Sequence, residues 1–205
     1  MRKMPSLFVR DWEGNRSLVT RNISPGCEWV VDGSKAVIAT KKWDGTAVLI
    51  DAYGYWKRYD AKHGKPAPYG FKPAQLEPDP VTGHWPGWLK VTLEKPEDKW
   101  FIDALTVQDI MLDEVSGLYE HGTYELCGPK IGGNPEGFDQ HTLVKHGVVL
   151  ENVTDFSYDG IKKYLEHEDT EGIVFYSLPS LMGTSYDVPM CKIKKSDFGL
   201  PRKPE

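Results

Sequence analysis

Apolar residues run together at Ala36–Ala39 and again at Ala47–Ile50, with Lys41-Lys42-Trp43-Asp44-Gly45 between them. Each run is long enough for a buried strand, and Asp-Gly is a turn signal. The pattern predicts a strand, a tight turn carrying a lysine, and a return strand. A further strand is expected over Tyr53–Tyr59, with shorter ones at Phe8-Val9 and Trp29–Val31. Residues 60–88 are rich in proline and glycine and carry little periodicity, which predicts a long loop or flap. Trp85-Pro86-Gly87-Trp88 then leads into a strand pattern, Leu89–Leu93. Val107, Ile110, Met111, Val115 and Leu118 form the apolar stripe of a helix over 106–118 that Thr106 and Asp109 suit at its start.

Towards the C-terminus, Gly122–Gly128 reads as a strand with Glu125 in its middle, and Gly132-Gly133-Asn134-Pro135 as a turn. Val148–Leu150 suggests a short strand, and Ser157 or Asp159 caps a helix through Ile161, Tyr164 and Leu165. Gly172–Tyr176 is a strand pattern with Glu171 at its entrance. Met190–Lys194 alternates, which puts Lys192 and Lys194 on one face of a strand and Ile193 on the other. No repeat, low-complexity tract or linker interrupts the chain. One α+β domain over 1–205, rich in antiparallel strands, is the economical reading.

Composition narrows the class. The chain has 205 residues, 40% apolar and 27% charged, which is ordinary soluble composition with room for one full core. No stretch is apolar enough to predict a transmembrane helix. The basic N-terminus lacks an apolar region behind it, so no secretion signal is expected. Cys27, Cys127 and Cys191 are widely spaced without a Cys-x-x-Cys pair, which speaks against a zinc site or a disulfide framework and for buried thiols in a reducing cytoplasm. The net charge of −5 excludes a uniformly basic nucleic-acid binder. Cations nevertheless gather at Lys57, Arg58, Lys62, Lys65 and Lys72, and again at Lys192, Lys194, Lys195, Arg202 and Lys203. Such clusters suit either a phosphate-handling face on an acidic body or two solvated charged stretches.

The candidate chemistry begins at Lys42. Lys42-Trp43-Asp44-Gly45 reads as a surface hairpin with an exposed lysine, or as the Lys-x-Asp-Gly nucleophile motif of the covalent nucleotidyltransferases. Only Lys42 has the register; Lys41 is one residue early. Downstream stand Arg58, the strand glutamate Glu125, Glu171-Gly172-Ile173-Val174-Phe175, and Lys192-x-Lys194. In this order they resemble the motif series of ATP-dependent RNA and DNA ligases. Trp56–Asp60, Gly83–Trp88, Glu125–Gly128 with Gly133-Asn134-Pro135-Glu136-Gly137, and Glu171–Val174 bring the resemblance closer still. Over roughly residues 36–200 the chain is similar to the small RNA ligases related to the vertebrate 5′-3′ RNA ligase, distant cousins of the phage T4 RNA ligases.

That resemblance implies an α+β nucleotidyltransferase fold, the ligase adenylation domain, with antiparallel sheets flanked by a few helices; no appended OB-fold is expected after the Lys192-x-Lys194 strand. It implies an RNA-repair chemistry in three steps: lysyl-AMP formation from ATP, transfer of AMP to an RNA 5′-phosphate, and displacement of AMP by a 3′-hydroxyl. Lys42 would be the nucleophile, and Lys41, Asp44, Arg58, Glu125, Glu171, Lys192 and Lys194 the nucleotide-binding set. Glu125 resembles the glutamate that bonds the ribose, and Arg58 the arginine that contacts ribose or phosphate. Pyrophosphate leaves well only when its charge is neutralised, so Mg²⁺ or Mn²⁺ is implied, with Glu171 on the metal or its waters. His141 and His146 lie near the Gly-Asn-Pro stretch, either structural or in contact with RNA or pyrophosphate. The expected partner is RNA with 5′-phosphate and 3′-hydroxyl ends, without a membrane, and the expected state is a monomer. A minimal DNA ligase, a GTP-using capping guanylyltransferase and a non-catalytic nucleotide- or RNA-binding module are the alternatives.

Overall fold

In the computed structural model, short apolar and alternating runs become antiparallel strands across the described residues, 3–105, 119–177 and 189–203. The strands are Phe8–Arg10 (β1), Val19–Ile23 (β2), Val37–Lys42 (β3), Thr46–Asp51 (β4), Gly54–Ala61 (β5) and Lys72–Pro73 (β6). Trp85–Lys90 (β7), Gly122–Cys127 (β8), Thr142–Lys145 (β9), Gly172–Ser177 (β10) and Met190–Lys194 (β11) follow. Helices are few among the described residues: Lys99–Asp103 (α1) and Tyr158–His167 (α2), with short 3-10 turns besides. The chain is α+β, and every paired strand runs antiparallel to its neighbour. The helix expected over 106–118 lies outside the described residues.

Two compact units divide the chain. A terminal unit combines Met4–Trp43 with Gly147–Glu205, and a middle unit holds Asp44–His146 with Met1–Lys3. Each has its own apolar core. In the terminal unit Leu7, Phe8, Ile161, Leu165, Ile173, Phe175, Cys191 and Ile193 are buried together. In the middle unit Val48, Ile50, Tyr124, Leu126 and Leu143 do the same.

The terminal unit carries a three-stranded sheet in the order β11-β10-β3, and β1 pairs with β2 separately. Both flanks of the three-stranded sheet are covered by irregular chain. Beside β11, the Lys192 N–H donates to Pro5 O at 3.0 Å and the Lys192 carbonyl accepts from Leu7 N at 2.7 Å. Beside β3, Lys41 N–H donates to Val149 O at 2.8 Å and Ala39 O accepts from Glu151 N at 2.9 Å. Edge strands left bare are prone to wrong pairing, and here the lysine-bearing strands are tied on both sides. Helix α2 begins where expected: the Ser157 hydroxyl accepts from Gly160 N at 3.1 Å. Its Ile161 and Leu165 face the core.

The middle unit is one six-stranded sheet, β6-β7-β5-β4-β8-β9. The 60–88 stretch is less irregular than its composition suggests, because β6 and the start of β7 fall within it. Asp79 organises one of its turns, accepting from Val81 N at 3.2 Å and Thr82 N at 2.8 Å.

Four local expectations need correction. The runs on either side of Lys42 do not form a hairpin: β3 pairs with β10, whereas β4 pairs with β5 and β8. Trp29–Val31 is not a strand, since Glu28–Val30 is a 3-10 turn closed by a Val31 N–H to Glu28 O bond of 2.9 Å. The strand placed at Leu89–Leu93 lies earlier, at Trp85–Lys90. Its tryptophans outweigh the turn signal of Pro-Gly, because β5 and β6 supply partners on both sides. Val148–Leu150 makes only an isolated bridge, Leu150 to Thr40, and stays exposed. All three cysteines are buried and free, as expected. No described helix is long and apolar enough to cross a membrane.

Candidate active site

Antiparallel register decides which side chains share a face. Gly172 stands opposite both Lys42 on β3 and Lys194 on β11. Two residues further along β10, Val174 stands opposite Thr40 and Lys192. Lys42, Lys192 and Lys194 therefore rise from one face, while Ile173, Phe175, Cys191 and Ile193 enter the core from the other. Lys41 stands opposite Ile173 and belongs to the core-side row. Its amine turns away, donating to Asp169 O at 3.2 Å and lying 4.3 Å from the centre of the Trp43 ring.

Gly172 is what lets the two outer lysines converge. A Cβ there would lie 2.1 Å from Ile193 O and 2.8 Å from Lys194 Cα, so only glycine permits this approach of β10 to β11. Glu171, one residue before the strand, fills the gap with its carboxylate. One oxygen accepts from Lys42 Nζ and the other from Lys194 Nζ, the latter at 2.5 Å. Side-chain exposure is 18% for Lys42 and 13% for Glu171, so the pair is largely shielded from water. Burial alone would raise the Glu171 carboxyl, but the charges and hydrogen bonds of Lys42 and Lys194 outweigh it and hold the group below its ordinary range.

The surrounding backbone is tied down. Lys195 N–H donates to Glu171 O at 3.0 Å, and the buried Thr170 hydroxyl donates to Gly172 O at 2.8 Å. At the end of β11, Lys194 N–H donates to Asp197 Oδ2 at 2.9 Å, while Asp197 Oδ1 pairs with Arg10 at 2.6 Å.

Three lysines against one carboxylate leave an excess of positive charge on this face. Lys192 shows it most directly, since no carboxylate among the described residues pairs with its amine. Burial, reinforced by the charges of Lys42 and Lys194, pushes that amine down from 10.5 to about 8, with Glu171 and Asp197 opposing. Between those two values the unfolded chain holds a proton that the folded chain has lost. Stability should accordingly rise with pH from about 8 to 10.5 through this group. Melting temperatures of wild type and Lys192→Met across that range check the sign: the rise should flatten in the variant. An added polyanion should raise the melting temperature of wild type most at the lower end of the range, where Lys192 carries its proton.

The remaining predicted residues sit in the middle unit. Asp44 N–H donates to Glu136 Oε1 at 3.0 Å, and Gly45 N–H to Glu125 Oε1 at 3.2 Å. Glu125 is buried on β8, and its other oxygen lies 2.8 Å from His146 Nε2. The His146 Nδ1 is 3.0 Å from Thr123 Oγ1. His141 has a structural setting, 2.6 Å from Asp103 and stacked on Trp100 at 4.8 Å. Arg58 Nε pairs with Asp60 at 3.0 Å, and its guanidinium lies 5.6 Å from the centre of the Trp88 ring.

The basic stretch 57–72 carries less excess charge than its sequence suggests. Lys57 pairs with the buried Asp98, Arg58 with Asp60, and Lys72 with Asp51 at 2.5 Å. The two clusters, Lys42–Glu171–Lys194 with Lys192 and Glu125–His146 with the Asp44–Gly45 turn, are each complete within one unit.

A divalent cation fits this donor set in one way only. Both Glu171 oxygens are engaged by lysines, and no group of three or more His, Cys, Asp or Glu side chains able to hold a metal is found among the described residues. One carboxylate suits Mg²⁺ that keeps waters and rides on a polyphosphate, not a cage built by the protein. Sequence reasoning had not singled out Thr170, Asp197, Arg10 or Glu136 individually. Arg10 and Asp197 stand far apart in the chain, and only the fold brings them together. No family model matches the chain, and no curated protein matches it either.

Proposed function

We propose that the chain is an ATP-dependent RNA ligase with the fold of a covalent nucleotidyltransferase, in which Lys42 carries AMP. The observation that supports this most is the lysine face of β3, β10 and β11: three amines gathered around a single carboxylate, within a chain whose net charge is −5. Such a face attracts a polyphosphate and disfavours most other ligands.

In the first step the Lys42 ammonium gives one proton to solvent and attacks the α-phosphorus of ATP with the freed lone pair, and the nitrogen gives a second proton to solvent as the new bond forms. A phosphorus–nitrogen bond forms, and the bond to the bridging oxygen breaks with both electrons leaving on pyrophosphate. Lys192 and Lys194 face the charge that grows on the phosphate oxygens, where fixed cations in a shielded site do most good. Glu171 releases Lys42 as the phosphate arrives and keeps Lys194 aimed. Glu171 is also the residue here that would hold Mg²⁺ or Mn²⁺, whose chemistry is to neutralise the departing pyrophosphate. The resemblance assigns the ribose contact to Glu125 and a ribose or phosphate contact to Arg58. A 5′-phosphate oxygen of RNA then attacks the same phosphorus, the phosphorus–nitrogen bond breaks and the Lys42 amine is restored with a proton from solvent. A 3′-hydroxyl finally loses its proton to solvent, attacks the RNA 5′-phosphorus and expels AMP to close the phosphodiester.

Intact-protein mass spectrometry after ATP with Mg²⁺, and after GTP, tests the first step; an added AMP and no GMP is expected. The loaded protein should join RNA ends and seal an all-DNA nick poorly on a gel. Sealing of DNA without RNA joining would leave only the broader transferase reading. Lys192→Ala and Lys194→Ala should each slow adduct formation by about 10²- to 10³-fold, the usual effect of removing one contact to a developing oxyanion. Ile193→Ala, whose side chain enters the core, should lower stability and leave that rate much less affected.

A further inference from the structure

The Gly133–Gly137 stretch has no role in the chemistry above, yet it is built with care. Asn134 has a φ of 60°, a left-handed conformation that asparagine tolerates better than most residues. Its side-chain amide bonds the Phe138 backbone in both directions: Nδ2 donates to Phe138 O at 3.0 Å, and Oδ1 accepts from Phe138 N at 3.0 Å. Asn134 N–H also donates to Ile131 O at 2.8 Å, and Ile131 is buried in the core of the middle unit. Bonds to Ile131 and Phe138 thus pin the loop on either side of Asn134, and within it stands Glu136, whose Oε1 accepts from the Asp44 N–H at 3.0 Å.

The turn that receives this bond is itself pressed against β8. A Cβ on Gly45 would lie 2.2 Å from Leu126 O, and the Gly45 N–H is held by Glu125 at 3.2 Å. Two successive backbone donors of one turn are each bound by a carboxylate from a different element. Bonds of this charged kind are stronger than neutral ones and fix direction.

We propose that Glu136 is a positioning residue: by holding the Asp44 N–H it sets the turn that follows Lys42, two residues along the chain, and so the aim of the lysine amine. The inference rests on the transferase reading for its catalytic half only. Misplacement of a reacting group is costly even when the group itself is intact. Glu136→Ala should reduce the rate of Lys42-AMP formation at saturating ATP by about 10- to 100-fold, with the half-saturating ATP concentration nearly unchanged. Glu136→Gln keeps an acceptor oxygen and should recover most of the rate.

Hydrogen exchange of the Asp44 amide, followed by NMR, reads the turn without any reaction. It should quicken in Glu136→Ala and stay close to wild type in Glu136→Gln. A wild-type rate in the alanine variant, a glutamine variant as slow as alanine, or unchanged exchange in both would overturn the inference. A purely structural loss would show as a lower melting temperature and a smaller fraction of protein labelled, at an unaltered rate in what remains. A wild type that takes up neither ATP nor GTP would overturn the transferase reading itself, and the exchange experiment would still decide whether Glu136 holds the turn.

Discussion

Lys42→Ala should take up no AMP at all, whereas Lys41→Ala should still form the adduct, slowed by no more than about tenfold, as befits a charge outside the reacting set. The two lysines are neighbours in sequence with the same chemistry, so the contrast isolates geometry. Lys42 stands opposite Gly172 on the face it shares with Lys192 and Lys194. Lys41 stands opposite Ile173 in the core-side row, and its amine is occupied by Asp169 O at 3.2 Å and the Trp43 ring. A strand reverses face at every residue, so a one-residue change in position is a change of side. Intact-mass measurement after ATP and Mg²⁺ separates the two variants directly. An adduct retained in Lys42→Ala and lost in Lys41→Ala would place the nucleophile in the wrong register and remove the basis of the motif assignment.

Glu171→Ala is expected to show the next largest effect, a fall of at least about 10²-fold in adduct formation, because even a small misplacement of a reacting group has that cost. The carboxylate holds Lys42 and Lys194 together; without it the lysine face keeps only mutually repelling cations. Glu171 backbone contacts survive the substitution, since Lys195 N–H bonds its carbonyl oxygen at 3.0 Å. The fold should therefore persist, which circular dichroism and a melting curve will check. Glu171→Gln preserves the volume and one acceptor and should fall between alanine and wild type. The decisive measurement is the adduct rate over a Mg²⁺ titration. Rates equal to wild type at every concentration would take Glu171 out of the chemistry altogether.

Much of the terminal unit's local structure was legible because it is written in short-range patterns. Alternation over Met190–Lys194 placed Lys192 and Lys194 on one face of β11, and the pairing with β10 has that register. Ser157 announced the start of α2 through its own side chain. The apolar run after Glu171 became β10, buried on one face against Ile161 and Leu165. In each case the signal and the structure involve residues within a few positions of one another, where intrinsic preference and periodicity suffice.

What stayed hidden depended on partners distant in the chain. Nothing between residues 36 and 50 reveals that β3 pairs with β10 and β4 with β8, because a run of valine and isoleucine specifies a buried strand and not its neighbour. The tight-turn hairpin was for that reason the natural expectation and the wrong one. The cationic stretch 57–72 suited a phosphate-handling face or a solvated charged stretch equally well in sequence; only the fold shows that Asp98, Asp60 and Asp51 pair with its Lys57, Arg58 and Lys72. Asp98 lies 41 positions from Lys57, beyond any local reading of charge.

The sequence by itself determined the order of the candidate motifs, the strand-rich α+β class and the face shared by Lys192 and Lys194. Tertiary structure decided that Glu171 stands between Lys42 and Lys194, since a glycine at 172 has to meet the backbone of β11 for the two amines to converge. It decided, too, that Glu136 reaches the Asp44 amide 92 positions away. Periodicity orients a side chain relative to its own strand; which charge it meets is set only when the strands pair and the core closes behind them.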